Sequence, residues 1–168
     1  WHTLSLHDAL PICDIVGEVS AGGDAYLLAS SIDSPSAVAG GELYLYADED
    51  IGGGALAYAA TVIAEQANGN PPPPPPPPGS YAGTDGIVAI ARTGSVLGAS
   101  ELVSGAGPVT AWAREDFTGK IDGNQDVSLV AFGTTTIVGA ISSATGSVAY
   151  MGDGINGPEV SAHTTVDL

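Results

Sequence analysis

One phrase recurs along this chain in seven segments, at intervals near twenty residues: a polar or glycine opening, then apolar residues at every second position, then alanine or a similar small residue. The clearest pair is Gly22-Gly23-Asp24-Ala25-Tyr26-Leu27-Leu28-Ala29 and Gly40-Gly41-Glu42-Leu43-Tyr44-Leu45-Tyr46-Ala47, which align without a gap. A period of two within the phrase is that of a β-strand, whose successive side chains leave opposite faces. A period near twenty between phrases is that of a stacked repeat, in which each unit completes its core only against its neighbours. Together they predict an all-β fold, a parallel β-solenoid fragment. The alternative is a β-sandwich, since short strands separated by turns also satisfy the inner period.

The register follows from the alternation. Leu43, Leu45 and Ala47 alternate with Tyr44 and Tyr46; Val109, Ala111 and Ala113 with Thr110 and Trp112; Val127, Leu129 and Ala131 with Ser128 and Val130. Residues 87–91, 148–150 and 160–162 read as further strands, each bounded by Gly, Pro, Asn or Asp. Taking the first inward residue of each unit gives Ala25, Leu43, Ile87, Val109, Val127 and Val148, at steps of 18, 44, 22, 18 and 21. These six residues are expected to stack in one column. One strand within Ala55 to Ala64 would restore the double-length step. A second apolar position, at Ile51, Val96-Leu97, Phe117 and Ile137-Val138, predicts two or three short strands per coil.

Residues 1–12 are set apart from this pattern. Thr3-Leu4-Ser5-Leu6-His7-Asp8-Ala9-Leu10-Pro11-Ile12 resembles the translation of a short-read sequencing adapter, so this segment is expected to be an artefact without a native fold. That leaves 13–168 as a single solenoid with a proline-rich loop at 68–80. Pro71 to Pro78 are eight consecutive prolines. They cannot enter a strand ladder and suit an extruded polyproline loop. The absence of an obvious capping segment suggests a piece cut from a longer stack.

Charge narrows the partners. Of 168 residues, 19 are Asp or Glu and 3 are Lys or Arg, for a net charge of −16. Such a field repels nucleic acid and anionic lipid surfaces and attracts divalent cations. After Asp14 no run of apolar residues is long enough for a membrane-spanning helix. With His2 and His7 in the discarded segment, His163 is the remaining histidine and Cys13 a junction residue, so no nucleophile–base pairing stands out.

Gly40-Gly41-Glu42-Leu43-Tyr44-Leu45-Tyr46-Ala47-Asp48-Glu49-Asp50-Ile51 resembles the repeats of filamentous-haemagglutinin-like and autotransporter-like bacterial surface proteins, and the likeness extends over about residues 17–168. That resemblance implies a right-handed parallel β-helix, export to the cell surface or medium, and a non-catalytic adhesive or scaffolding role. The implied partners are further repeats of the same chain and cell-surface or carbohydrate ligands. It brings no catalytic residues and no cofactor.

Two candidate sites remain. Asp122-Gly123-Asn124-Gln125-Asp126 has the spacing that sets Asp122, Asn124 and Asp126 on one side of a calcium loop, although Val127 stands where that loop takes Gly and Gly133 where it takes Glu. A calcium-stabilised binding module is therefore an alternative. Residues 152–157 are a weaker version of the same pattern. Acidic clusters at Asp48-Glu49-Asp50 and Glu115-Asp116 follow the alanine that ends their strands. They are expected about three rungs apart, too far to form one carboxylate pair with each other, with Arg92 pairing Glu115 across one rung; a polysaccharide-acting β-helix enzyme stands as a further alternative. Outward positions also carry Tyr44, Tyr46, Val88, Ile90, Trp112, Val130 and Phe132, which predicts an apolar outer face.

Overall fold

The computed structural model describes residues 13–52, 67–69, 71, 80–157 and 159–167. The segment read as an adapter, Ala55 to Ala64 and nearly all of the proline run lie outside them. The described elements are thirteen strands, and every pairing among them is parallel. They form a β-solenoid of about six turns.

One ladder is the column predicted from the alternation. It contains β2 (Ala25–Ala29), β4 (Glu42–Ala47), β6 (Gly86–Ala91), β8 (Val109–Ala113), the first part of β10 (Val127–Ser143) and the first part of β11 (Val148–Asn156). Ala25 pairs with Leu43, Leu43 with Ile87, Ile87 with Val109, Val109 with Val127 and Val127 with Val148. The column gains a seventh member, because Val148 also pairs with Val166 of β13 (Val166–Asp167). All six expected residues are buried. Stacking like on like with parallel strands about 4.8 Å apart brings each inward side chain against the same position above and below, which favours Ala, Val, Ile and Leu.

A second, narrower ladder turns the corner. Ile15, Ile32, Ile51 and Val96 are linked by successive bridges, and Val96 continues to Phe117, Thr135 and Ile155. The fourth expected member was Ile137-Val138, and here the structure differs. Thr135 is the residue opposite Phe117, while Ile137 lies opposite Gly119 and Val138 is exposed. The threonine occupies an apolar column, which is why hydropathy pointed past it.

The third ladder had no counterpart in the sequence reading beyond residues 160–162. It joins β1 (Val19–Ala21), β3 (Ser36–Ala39), β5 (Ser80–Gly83), the ends of β7 (Val96–Ser104), β9 (Phe117–Gly123) and β10, and β12 (Val160–Ala162). Its inward column is Val19, Ala37, Tyr81, Leu102, Ile121, Ile141 and Val160. Each coil thus carries three strands around one shared core.

The 44-residue step is a correction to the expected spacing. Leu43 pairs directly with Ile87, so no strand between them enters this ladder. Ile51 bridges Ile32 on one side and Val96 on the other, and the next described strand, β5 from Ser80, pairs directly with β3. An excursion at a corner costs no ladder bonds, and closure entropy grows only slowly with its length.

Candidate functional site

The corners hold a device that recurs on four rungs. Asp24 Oδ1 accepts the Glu42 amide at 3.0 Å, Asp50 Oδ1 the Ser95 amide at 2.7 Å, Asp116 Oδ1 the Thr134 amide at 2.7 Å, and Asp126 Oδ1 the Ser147 amide at 2.8 Å. In each case the residue before the donating amide is glycine: Gly41, Gly94, Gly133 or Gly146. A Cβ added at any of the four would collide with the same carboxylate oxygen. The acid clasps the next rung through the space that glycine leaves open. Four of the 19 acidic residues and four of the 24 glycines thus have a structural role in these clasps.

This device bears on the calcium candidate. Asp126 reaches the Ser147 amide, and Asp122 Oδ1 accepts the Ser142 hydroxyl at 3.0 Å. Asn124 offers its backbone carbonyl to the Thr145 amide at 2.9 Å and hydroxyl at 2.6 Å. The three residues each tie their rung to the next one. Among the described residues no group of three or more His, Cys, Asp or Glu is arranged to hold a metal ion.

The acidic clusters are likewise engaged. Asp48 pairs with Arg92 at 2.7 Å, not Glu115 with Arg92 as expected from the spacing. The register explains the change: Ala47, Ala91 and Ala113 pair in succession, so Arg92 follows Asp48 in the stack and is itself followed by Arg114. The hydrogen bond to Asp48, and then its charge, raise the Arg92 guanidinium above its ordinary value. The same pairing sets the two clusters two rungs apart instead of three, because β4 pairs directly with β6 and β6 with β8. His163 and Cys13 are both exposed.

The outer surface of the first ladder is the most distinctive feature. Leu28, Tyr46, Ile90, Trp112, Val130 and Met151 pair in unbroken order across six rungs, every one of them apolar or aromatic and pointing away from the core. Beside them run Tyr26, Tyr44, Val88, Thr110, Ser128 and Ala149. Tyr26 and Tyr44 lie 6.0 Å apart with tilted rings, and Trp112 meets Phe132 edge to face at 5.7 Å. Exposure is greatest at the ends, with Tyr26 at 60% and Met151 at 59%. A shallow depression of about 330 Å³ lies at the Met151 end, between Val130, Tyr150 and Asp167. Single exposed apolar side chains are ordinary, whereas this row is contiguous, with Met151 exposed and the other five members half-buried.

The site so defined belongs to a parallel β-solenoid with one apolar outer face. Compared with known proteins, the chain matches no protein family, no curated protein and no solved structure.

Proposed function

We propose that this chain is a non-catalytic, adhesive or scaffolding segment of a larger secreted bacterial surface protein. The observation that carries this reading is the six-rung apolar ladder from Leu28 to Met151 on the outside of a regular stack. A solenoid presents such a ladder as a rigid, flat strip, pre-organised without any loop to order on contact, which lowers the entropic cost of binding an extended surface. The resemblance of residues 40–51 to surface-protein repeats supports export. The acidic clusters support a non-catalytic role, because Asp48, Asp50 and Asp116 hold Arg92, Ser95 and Thr134 in register.

The test is retention of the purified full chain on polysaccharide-coated and protein-coated sensors. Tyr46→Ser combined with Ile90→Thr and Met151→Ser leaves the inward columns untouched and breaks the strip at three points. The expected result is loss of retention with an unchanged circular dichroism spectrum. Equal retention of variant and parent, or none by either, overturns the reading.

A further inference from the structure

We propose that Trp112, Arg114 and Phe132 form a binding site for a carboxylate-bearing sugar unit, an inference that rests on the adhesive reading and names its ligand class. The chain has only three cationic residues, and the register brings both arginines together. Because Ala47, Ala91, Ala113 and Ala131 pair in succession, the residues that follow them, Asp48, Arg92, Arg114 and Phe132, come in that order up the stack. Arg92 is neutralised by Asp48. Arg114 is exposed, and among the described residues it makes no ion pair and no side-chain hydrogen bond; its guanidinium carbon lies 5.0 Å over the Phe132 ring.

That contact holds the guanidinium over the ring, and among the described residues none of its N–H donors is engaged. Stacked arginines keep their donor fork, which matches a carboxylate with two parallel hydrogen bonds. Trp112, held edge to face against Phe132, belongs to the apolar ladder and offers an aromatic surface at the same level. A pyranose ring has an apolar C–H face to lay against the indole, and a uronic acid adds one carboxylate at its rim within the same unit. The overall charge selects among anions. A field of −16 disfavours densely charged polymers such as nucleic acid or sulfated chains, while a ligand with one charge on an apolar body reaches Arg114 at least electrostatic cost. Glu115 and Asp116 follow Arg114 in sequence, and Asp116 is already bonded to the Thr134 amide.

The test uses the full chain carrying Trp1→Phe, so that Trp112 is the sole tryptophan. Its fluorescence is titrated with methyl α-D-galacturonide and with methyl α-D-galactoside, which differ in a carboxylate against a hydroxymethyl group. The expected result is a saturable change with the uronide, weaker by about tenfold or more with the galactoside and in Arg114→Gln, as befits loss of a charge-assisted pair. Arg114→Lys retains part of the affinity, having the charge without the fork. Equal response to both sugars, or no effect of Arg114→Gln, overturns the proposal. So does a signal that tracks protein concentration together with a dimer in sedimentation, which would assign the strip to a second copy. If the uronide fails while the strip still retains the chain on coated sensors, the adhesive reading stands and this site falls; if retention also fails, both fall.

Discussion

The carboxylate of Asp116 accepts the amide of Thr134 at 2.7 Å, one rung further along, across the space where Gly133 has no side chain. The same relation joins Asp24 to Glu42, Asp50 to Ser95 and Asp126 to Ser147. Gly133→Ala puts a methyl group against that oxygen and about 3.0 Å from the Glu115 carbonyl, so the corner must shift. The expected cost is about 1–3 kcal/mol, read as a lower urea midpoint at unchanged slope. Gly22→Ala meets nothing within 4 Å and should stay within about 0.5 kcal/mol of the parent. Asp116→Ala removes the acceptor, and its combination with Gly133→Ala should cost less than the sum, because one clasp is lost only once. Equal effects of Gly133→Ala and Gly22→Ala would refute the clasp.

The first ladder was legible because its strands repeat one phrase with strict alternation, from Ala25-Tyr26-Leu27 to Val148-Ala149-Tyr150. The third was not, for a physical reason. Ala37, Tyr81, Leu102, Ile121 and Ile141 differ widely in size and sit among Gly, Ser and charged residues, so no phrase repeats. The clasps were hidden in another way: Asp116 and Gly133, or Asp126 and Gly146, each read locally as turn residues. Only the distance of one rung between acid and glycine betrays them. Asp122, Asn124 and Asp126 were singled out by local spacing, and all three prove to bond upward, two through side chains to Ser142 and Ser147 and Asn124 through its carbonyl to Thr145. The apolar outer face was foreseen, since Tyr46, Ile90, Trp112 and Val130 interrupt the polar half of the alternation. The partner of Arg92 was not, because it depends on which rung pairs with β4.

Thr135 is fully buried in the column of Ile51, Val96 and Phe117, and among the described residues its hydroxyl has no hydrogen-bond partner. A buried hydroxyl without a partner costs about 1–3 kcal/mol relative to an apolar group of the same shape. Thr135→Val keeps the β-branched form and should raise stability by about 1–2 kcal/mol, seen as a higher denaturation midpoint. A lower midpoint would mean that the hydroxyl is satisfied in solution.

Lys120 Nζ lies 2.7 Å from Glu101 Oε1, both side chains 36% exposed. The hydrogen bond to Glu101 raises the ammonium above its ordinary value; desolvation opposes this, and the charges of Glu101 and Asp122 add to it. Because the folded value exceeds the unfolded one, the contribution is complete below the unfolded value near 10.5 and disappears as pH rises through the folded value. Exposure and screening keep it under about 1 kcal/mol. The melting temperature of the parent should therefore fall toward that of Lys120→Gln as pH rises above about 10.5. A gap that widens with pH would contradict the assignment.

Tyr81 is the large side chain of β5, the first described strand after Gly52. It is fully buried, and its hydroxyl donates to the Ser34 carbonyl at 2.8 Å. In its column it stands between Ala37 and Leu102, so the small residue on one side makes room for the ring. Two substitutions separate the hydrogen bond from the packing. Tyr81→Phe leaves the Ser34 carbonyl unpaired in the interior and should cost about 1–2 kcal/mol; Tyr81→Ala also opens a cavity and should cost about 3–5 kcal/mol. Hydrogen exchange can show where that loss falls. If Tyr81 fastens β5, amides of β3 and β5 should lose protection first in Tyr81→Phe, while those of β8 and β10 keep theirs, because solenoid rungs contact only their neighbours. Uniform loss across all rungs would show instead that the stack opens as one unit and that β5 needs no local fastening.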